Sequence, residues 1–155
     1  MPIVYIVHGF VGSGKTTFAR KLETETGAIR FTPDEWMIAL YGDNPPAEMF
    51  GVYFKRIQDF IWLQIEKTIK AGADVILENV LWTRIDRDDA MAKIRSFGAE
   101  PRLYVLQTPF EICRERVLKR TEDMPDGALV IDDHAMTLFQ SRFEPLQDDE
   151  IAIFI

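Results

Sequence analysis

The densest chemistry in the sequence lies between residues 9 and 16, where Gly9-Phe10-Val11-Gly12-Ser13-Gly14-Lys15-Thr16 fits the spacing G-x-x-x-x-G-K-[ST]. Glycines at these positions let the backbone curl until successive N–H groups point inward at phosphate oxygens, and the helix that follows adds its positive end. The same spacing brings Lys15 to the β- and γ-phosphates of a nucleoside triphosphate and the Thr16 hydroxyl to its metal ion. Gly9, Gly12, Ser13, Gly14, Lys15, Thr16 and Thr17 are therefore the expected nucleotide-binding residues, with ATP and Mg²⁺ as cofactors. The context is the required one, an apolar run before the loop and a helical pattern after it.

Such a loop needs an acid at the end of a neighbouring strand to orient the metal and its waters, and Val75-Ile76-Leu77-Glu78 supplies Glu78. Thr16 and Glu78 are the expected metal residues. Asp34 lies just past the second apolar run, at the carboxyl edge where open α/β sheets bind ligands. A carboxylate there can accept the proton of an attacking hydroxyl. It also stands in the first turn of a helix, where an acid offsets the macrodipole by about 0.3–1 kcal/mol, so by position alone the two readings are level. Arg116 and Arg120 are four apart on one helical face, a spacing at which like charges repel unless an anion sits between them. A phosphate clamp is the sharper reading and a mixed solvated face with Glu111, Glu115, Glu122 and Asp123 the plainer one. Arg114 falls on an adjacent face, while Phe110, Cys113 and Val117 would pack the opposite side. His8, ending the first strand, is expected as a hydrogen-bonded core residue. Trp36, Met37, Tyr41, Met49, Tyr53 and Trp62 are expected mostly in the core, with some lining an acceptor pocket.

These residues have to be held by something, and the patterning says what. Short apolar runs at Ile3 to His8, Ala28 to Thr32, Asp74 to Val80, Arg102 to Leu106 and Ile151 to Ile155 read as strands covered on both faces. Helical stretches alternate with them: Lys15 to Thr26, a helix opened by the capping box Thr32-Pro33-Asp34-Glu35, and a long one over about residues 47–71. The long helix carries Phe50, Phe54, Ile57, Ile61, Ile65 and Ile69 on one core face. Further helices are expected from about Ile85 to Phe97, from the second capping box Thr108-Pro109-Phe110-Glu111 to about Arg120, and from Asp132 or Asp133 to about Phe143. Glu122 to Ala128, with Pro125 and Gly127, reads as a mobile loop. This alternation specifies an α/β fold, a parallel sheet with helices on both faces.

The 155 residues fit one domain, 1–155, without repeat or linker. With 18 bases against 25 acids the net charge is −7, which disfavours long nucleic acid as a partner. No apolar stretch is long enough to span a membrane, and a single cysteine, Cys113, fits a reducing cytoplasm.

On the loop, Asp34, Val75 to Glu78, the Pro109-to-Arg120 segment with its E-R-V-L-K-R end, and Phe143-Glu144-Pro145, the sequence resembles a group of small P-loop kinases. The group contains the polynucleotide kinase domain, gluconate kinase, chloramphenicol phosphotransferase and zeta-toxin-like kinases, with an AAA-type ATP-binding domain. The resemblance implies a P-loop NTPase of three layers, α/β/α, around a five-stranded parallel sheet in the order 2-3-1-4-5. It implies a lid over about residues 114–130 whose phosphate-binding arginines match Arg116 and Arg120, and it implies that Asp34 matches the acceptor-activating carboxylate. Arg87 falls near a position where the group often has an arginine, and Glu78 stands where an aspartate is more usual.

The expected activity is ATP-dependent transfer of the γ-phosphoryl group to a hydroxyl of a small-molecule acceptor, with Lys15, Asp34, Arg116 and Arg120 as catalytic residues. Two alternatives stay open: a nucleotide-binding switch or slow ATP hydrolase acting through a protein partner, and a nucleic-acid 5'-hydroxyl kinase, which the net charge disfavours.

Overall fold

The five apolar runs form one parallel sheet in a computed structural model that describes residues 1–123 and 129–155. The elements follow in the order β1 (Ile3–Gly9), α1 (Lys15–Thr26), β2 (Ile29–Phe31), α2 (Pro33–Tyr41), α3 (Ala47–Lys70), β3 (Val75–Glu78), α4 (Arg84–Ser96), β4 (Glu100–Leu106), α5 (Phe110–Asp123), α6 (Asp133–Arg142) and β5 (Ile153–Phe154). The strand order is β2-β3-β1-β4-β5, as the resemblance implies. Register runs from Val4 opposite Val75 to Val7 opposite Glu78 on one side of β1, and from Ile3 opposite Glu100 to Gly9 opposite Leu106 on the other. All carboxyl ends therefore share one edge, and Gly9, Phe31, Glu78 and Leu106 end their strands along it.

Alternate side chains of each strand enter different layers. Val4, Ile6, Val75, Leu77, Leu103 and Val105 pack against Ile57, Ile61, Ile65 and Ile69 of α3 and Ala90 and Ile94 of α4. Tyr5, Val7 and Ile76 pack on the other face against Ala19 and Leu22 of α1. A third cluster, Phe10, Cys113, Val117 and Met136, fastens the loop after β1 to α5 and α6. Burying each α3 isoleucine contributes about 1.5–3 kcal/mol, so this stripe alone fixes how α3 lies on the sheet. Phe50 departs from the expected core face, being exposed, while Phe54 is half-buried and packs against that core. A 24-residue helix is about 36 Å long, so its first turns overrun the strands it covers.

Neither expected capping box forms. Thr32 makes no side-chain cap for α2, because its hydroxyl is drawn to Glu78 and Arg30, and Glu35 holds Arg30 instead of reaching back. The Thr108 hydroxyl donates to Ser13 O at 2.8 Å, bracing the loop. The capping box that does form joins Thr83 and Asp86 at the start of α4, one residue before the expected helix. The last strand is shorter than expected and not covered on both faces, with Ile153 and Phe154 exposed beside Tyr104 and Val105. Helix α5 runs past Arg120 to Asp123. Residues 124–128, which hold most of the expected mobile loop and part of the expected lid, lie outside the described residues.

Candidate functional site

The chain leaves β1 at Gly9 and must turn back into α1 within five residues, which forces Gly12 to φ 81° and Gly14 to φ 100°. Side chains are also excluded there. A Cβ on Gly12 would lie 2.6 Å from Val117 Cγ2 and 2.7 Å from Cys113 O, and one on Gly9 would lie 2.5 Å from Ser13 Oγ. The turn is closed by Ser13 N donating to Phe10 O at 3.0 Å, and Lys15 Nζ donates to the same carbonyl at 3.0 Å.

The N-terminus of α1 has no side-chain cap and no acid in its first turn, whereas α4 and α6 are capped by Thr83 and Asp132. Bare N–H groups at a helix start suit an anion. Among the described residues, two buried polar atoms in the same region also have no partner, Ser13 Oγ and Arg120 Nε. A backbone cradle closed to side chains, an uncapped helix and two orphaned polar atoms fit a bound polyphosphate. Thr17 is exposed in the first turn of α1, on the same bare end.

Behind the loop, Thr16 Oγ1 donates to Glu78 Oε1, and Thr32 Oγ1 donates to Glu78 Oε2 at 3.0 Å. Arg30 Nη1 lies 3.7 Å from the same Oε2 and donates to Thr32 Oγ1 and Glu35 Oε1 at 2.8 Å, while its Nε donates to Glu23 at 3.0 Å. Burial raises the Glu78 carboxyl above the usual carboxylate range, and the Thr16 hydrogen bond, Lys15 and Thr32 pull it back. Among the described residues no group of three or more His, Cys, Asp or Glu is placed to hold a metal. Thr16 with one carboxylate nevertheless suits Mg²⁺, which keeps several waters and takes other ligands from substrate phosphates.

Asp34, at the start of α2, is exposed to solvent at its surface yet crowded by its neighbours. The packed surroundings raise its carboxyl above the usual range, opposed by Lys15 and Arg120. Burial lowers Lys15 in turn, opposed by Asp34 and Glu78. The fold thus gathers Lys15, Asp34, Glu78 and Arg120 into one electrostatic group at the carboxyl edge. Arg116 is exposed on α5, with Nη1 4.0 Å from where a Gly14 Cβ would stand. Arg114 faces away from the loop and pairs with Asp133 at 2.5 Å.

Two residues differ from expectation. His8 is fully buried, stacks on Phe143 at 5.5 Å and lies against the backbone of Val80, although neither ring nitrogen has a partner in good hydrogen-bond geometry among the described residues. Burial, with Arg87 and Lys15 nearby, lowers it to about 4. Arg87 is structural. Its guanidinium is spent on Glu150, at 2.6 and 2.9 Å, and on the carbonyls of Leu81, Glu144 and Pro145. Arg30 and Thr32, which brace Glu78, were not singled out for the site. A charge between Ile29 and Phe31 in a strand was the signal available for Arg30.

Among the described residues no helix is long and apolar enough to cross a membrane. No curated protein matches the chain. Among solved structures, a chain of the Pnkp1/Rnl/Hen1 RNA repair complex aligns at 24% identity and TM-score 0.75, over 91% of this chain and 43% of that one. This chain thus spans less than half the length of that relative. A sugar kinase from Janibacter sp. HTCC2649 aligns at 21% identity and TM-score 0.67, over 100% of this chain and 84% of that one. Kti12 from Chaetomium thermophilum, solved with ADP-AlF3, aligns at 15% identity and TM-score 0.66, over 99% of this chain and 88% of that one. These likenesses establish the fold of P-loop kinases. A family model described as an AAA domain matches residues 4–146, and on that match the chain belongs to the AAA domain family AAA_33.

Proposed function

We propose that the chain is an ATP-dependent phosphotransferase that moves the γ-phosphoryl group of Mg-ATP to a hydroxyl of a small-molecule acceptor. The observation that carries this reading is that Asp34 ends within electrostatic range of Lys15 and Arg120 beside the loop while forming no ion pair with either among the described residues, since a simple nucleotide holder has no need of a carboxylate there. Lys15 leaves Phe10 O to hold phosphate oxygens, with Ser13 and the bare N–H groups of α1 beside it. Thr16 and Glu78 would hold Mg²⁺, which when bound offsets the charge of the phosphates. The acceptor O–H proton passes to a carboxylate oxygen of Asp34 as the acceptor oxygen bonds to the γ-phosphorus and the bond from that phosphorus to the β–γ bridging oxygen breaks, with ADP as the leaving group. A carboxyl raised above the usual range is the stronger base for that transfer. Arg120 and Arg116, from the helix that opens the expected lid, hold the transferring group. Catalysis is then mainly positioning and electrostatic stabilisation.

The net charge of −7 supports a small acceptor over a nucleic-acid end, and a lone buried thiol, Cys113, suits the cytoplasm. The test is release of ADP from Mg-ATP with pooled hydroxyl compounds, followed by mass spectrometry for a phosphorylated product. Asp34→Asn should lower transfer by about 10²–10⁴-fold while ATP affinity stays within a few-fold. Hydrolysis that no acceptor stimulates, unchanged in Asp34→Asn, overturns the reading in favour of a nucleotide switch.

A further inference from the structure

The acid that ends β3 is held from two sides. Thr16 Oγ1 donates to Glu78 Oε1 from the loop, and Thr32 Oγ1 donates to Oε2 at 3.0 Å from the opposite side. Parallel register brings the second contact about. Ile29, Arg30 and Phe31 of β2 lie opposite Val75, Ile76 and Leu77, so the next residue, Thr32, stands beside Glu78, and both are buried. We propose that Thr32, its hydroxyl aimed by Arg30, is a positioning residue that holds the Glu78 carboxylate in the orientation that takes the nucleotide's metal ion, a role that rests on Thr16 and Glu78 being the metal residues of the proposed function.

Hydrogen-bond chemistry fixes the direction of these contacts. An arginine donates and cannot accept, and a hydroxyl carries one proton. Arg30 Nη1 donates to Thr32 Oγ1 at 2.8 Å, which leaves the Thr32 proton for Glu78 Oε2. Arg30 is itself tethered, with Nε on Glu23 at 3.0 Å and Nη1 on Glu35 at 2.8 Å, and its side chain is largely buried. A carboxylate otherwise turns readily, because its terminal torsion is broad and roughly two-fold. With Oε2 engaged by Thr32, Glu78 keeps Oε1 towards Thr16. Partners behind a metal ligand commonly orient it and raise metal affinity in this way. Thr32 also stands two residues before Asp34, so one short segment sets both the metal acid and the proposed base. The ion pairs of Arg30 tie α1 and α2 to β2 as well, and a purely structural role would end with them. Metal affinity separates the two roles.

The probe is Mn²⁺, standing in for Mg²⁺, titrated into the full chain with ADP bound, and free Mn²⁺ is read by its paramagnetic resonance against ADP alone. Thr32→Val, alike in shape but without the hydroxyl, should weaken Mn²⁺ binding by about 10–100-fold while metal-free ADP affinity is unchanged. Thr32→Ser should restore it, and Thr32→Ala repeats the test with less bulk if valine disturbs folding. Arg30→Lys should fall between, since one ammonium cannot serve Glu23, Thr32 and Glu35 together. Glu78→Asp keeps the charge but is one methylene too short to span Thr16 and Thr32, and it should bind Mn²⁺ no better than Thr32→Val. Glu23→Ala is the structural control: it leaves Arg30 on Thr32 and Glu35, and should lower the urea midpoint with Mn²⁺ affinity unchanged. In phosphoryl transfer the Mg²⁺ requirement of Thr32→Val should rise while turnover at saturating Mg²⁺ recovers. Unchanged Mn²⁺ affinity in Thr32→Val, a loss that Thr32→Ser does not restore, an equal loss in Glu23→Ala, or full affinity in Glu78→Asp overturns the proposal and leaves the phosphotransferase standing. Metal binding that depends on Thr32 without transfer to any acceptor does the reverse. No Mn²⁺ binding beyond that of ADP alone in the unaltered protein overturns the metal residues and the proposal with them.

Discussion

Replacing Gly12 by alanine tests how tightly the phosphate loop is locked to α5. Two separate costs arise there. An L-residue in the left-handed region, φ 81° at this position, loses about 1–2 kcal/mol. The added Cβ also meets Val117 Cγ2 at 2.6 Å and Cys113 O at 2.7 Å, and the second is helix backbone that no rotamer change can move. Forcing such a group into a packed interior costs about 1–3 kcal/mol more, so the expected loss is about 2–5 kcal/mol. Gly27→Ala is the control. It has φ 71° and nothing within 4 Å of its Cβ, and it should lose only the backbone cost. Both substitutions narrow the unfolded ensemble alike, so their difference isolates the close approach. Urea midpoints at unchanged m-value measure it. Equal losses in the two variants would refute the close approach of the loop to α5.

Other outcomes follow from the same geometry. Lys15→Ala should weaken ATP binding by calorimetry while the urea midpoint changes little; unaltered ATP affinity would remove Lys15 from the nucleotide site. His8 titrates near 4 in the folded chain against 6.5 when free, so the unfolded chain takes up the proton first. Its stabilisation is whole above pH 6.5 and is lost as pH falls towards 4, a change of about 3 kcal/mol at 1.36 kcal/mol per unit. His8→Leu should flatten that acid-side slope in urea titrations, and parallel slopes would contradict it. Arg87→Met leaves the Glu150 carboxylate with only Gln147 N at 2.8 Å and Arg84 Nε at 3.9 Å, which should destabilise in urea unfolding by less than the about 3–5 kcal/mol of a fully uncompensated buried charge. The double variant Arg87→Met with Glu150→Gln should recover part of that loss, and no recovery would argue against the pair.

The loop could be read without coordinates because its requirements are local: glycines where the backbone must turn, a lysine and a threonine at the start of one helix. The strands could be read for a similar reason, since a run buried on both faces has to be apolar throughout, as Val4 to Val7 and Val75 to Leu77 are. Thr32 and Thr108 went the other way. Each heads a sequence that suits a capping box, but a hydroxyl serves whichever partner the fold brings near, and here these were Glu78, Arg30 and Ser13 O. Arg87 was visible only as a charge in a helix. Its burial depends on Glu150, 63 residues further on.

By itself, then, the sequence determined the strand and helix order and the residues able to hold a polyphosphate, because propensity, hydrophobic period and turn chemistry act over a few residues. Only the tertiary structure decided which carboxylates meet which cations. Lys15, Asp34, Glu78 and Arg120 are separated by up to 105 positions in the chain, and they form one charged group because parallel strands end along a single edge of the sheet.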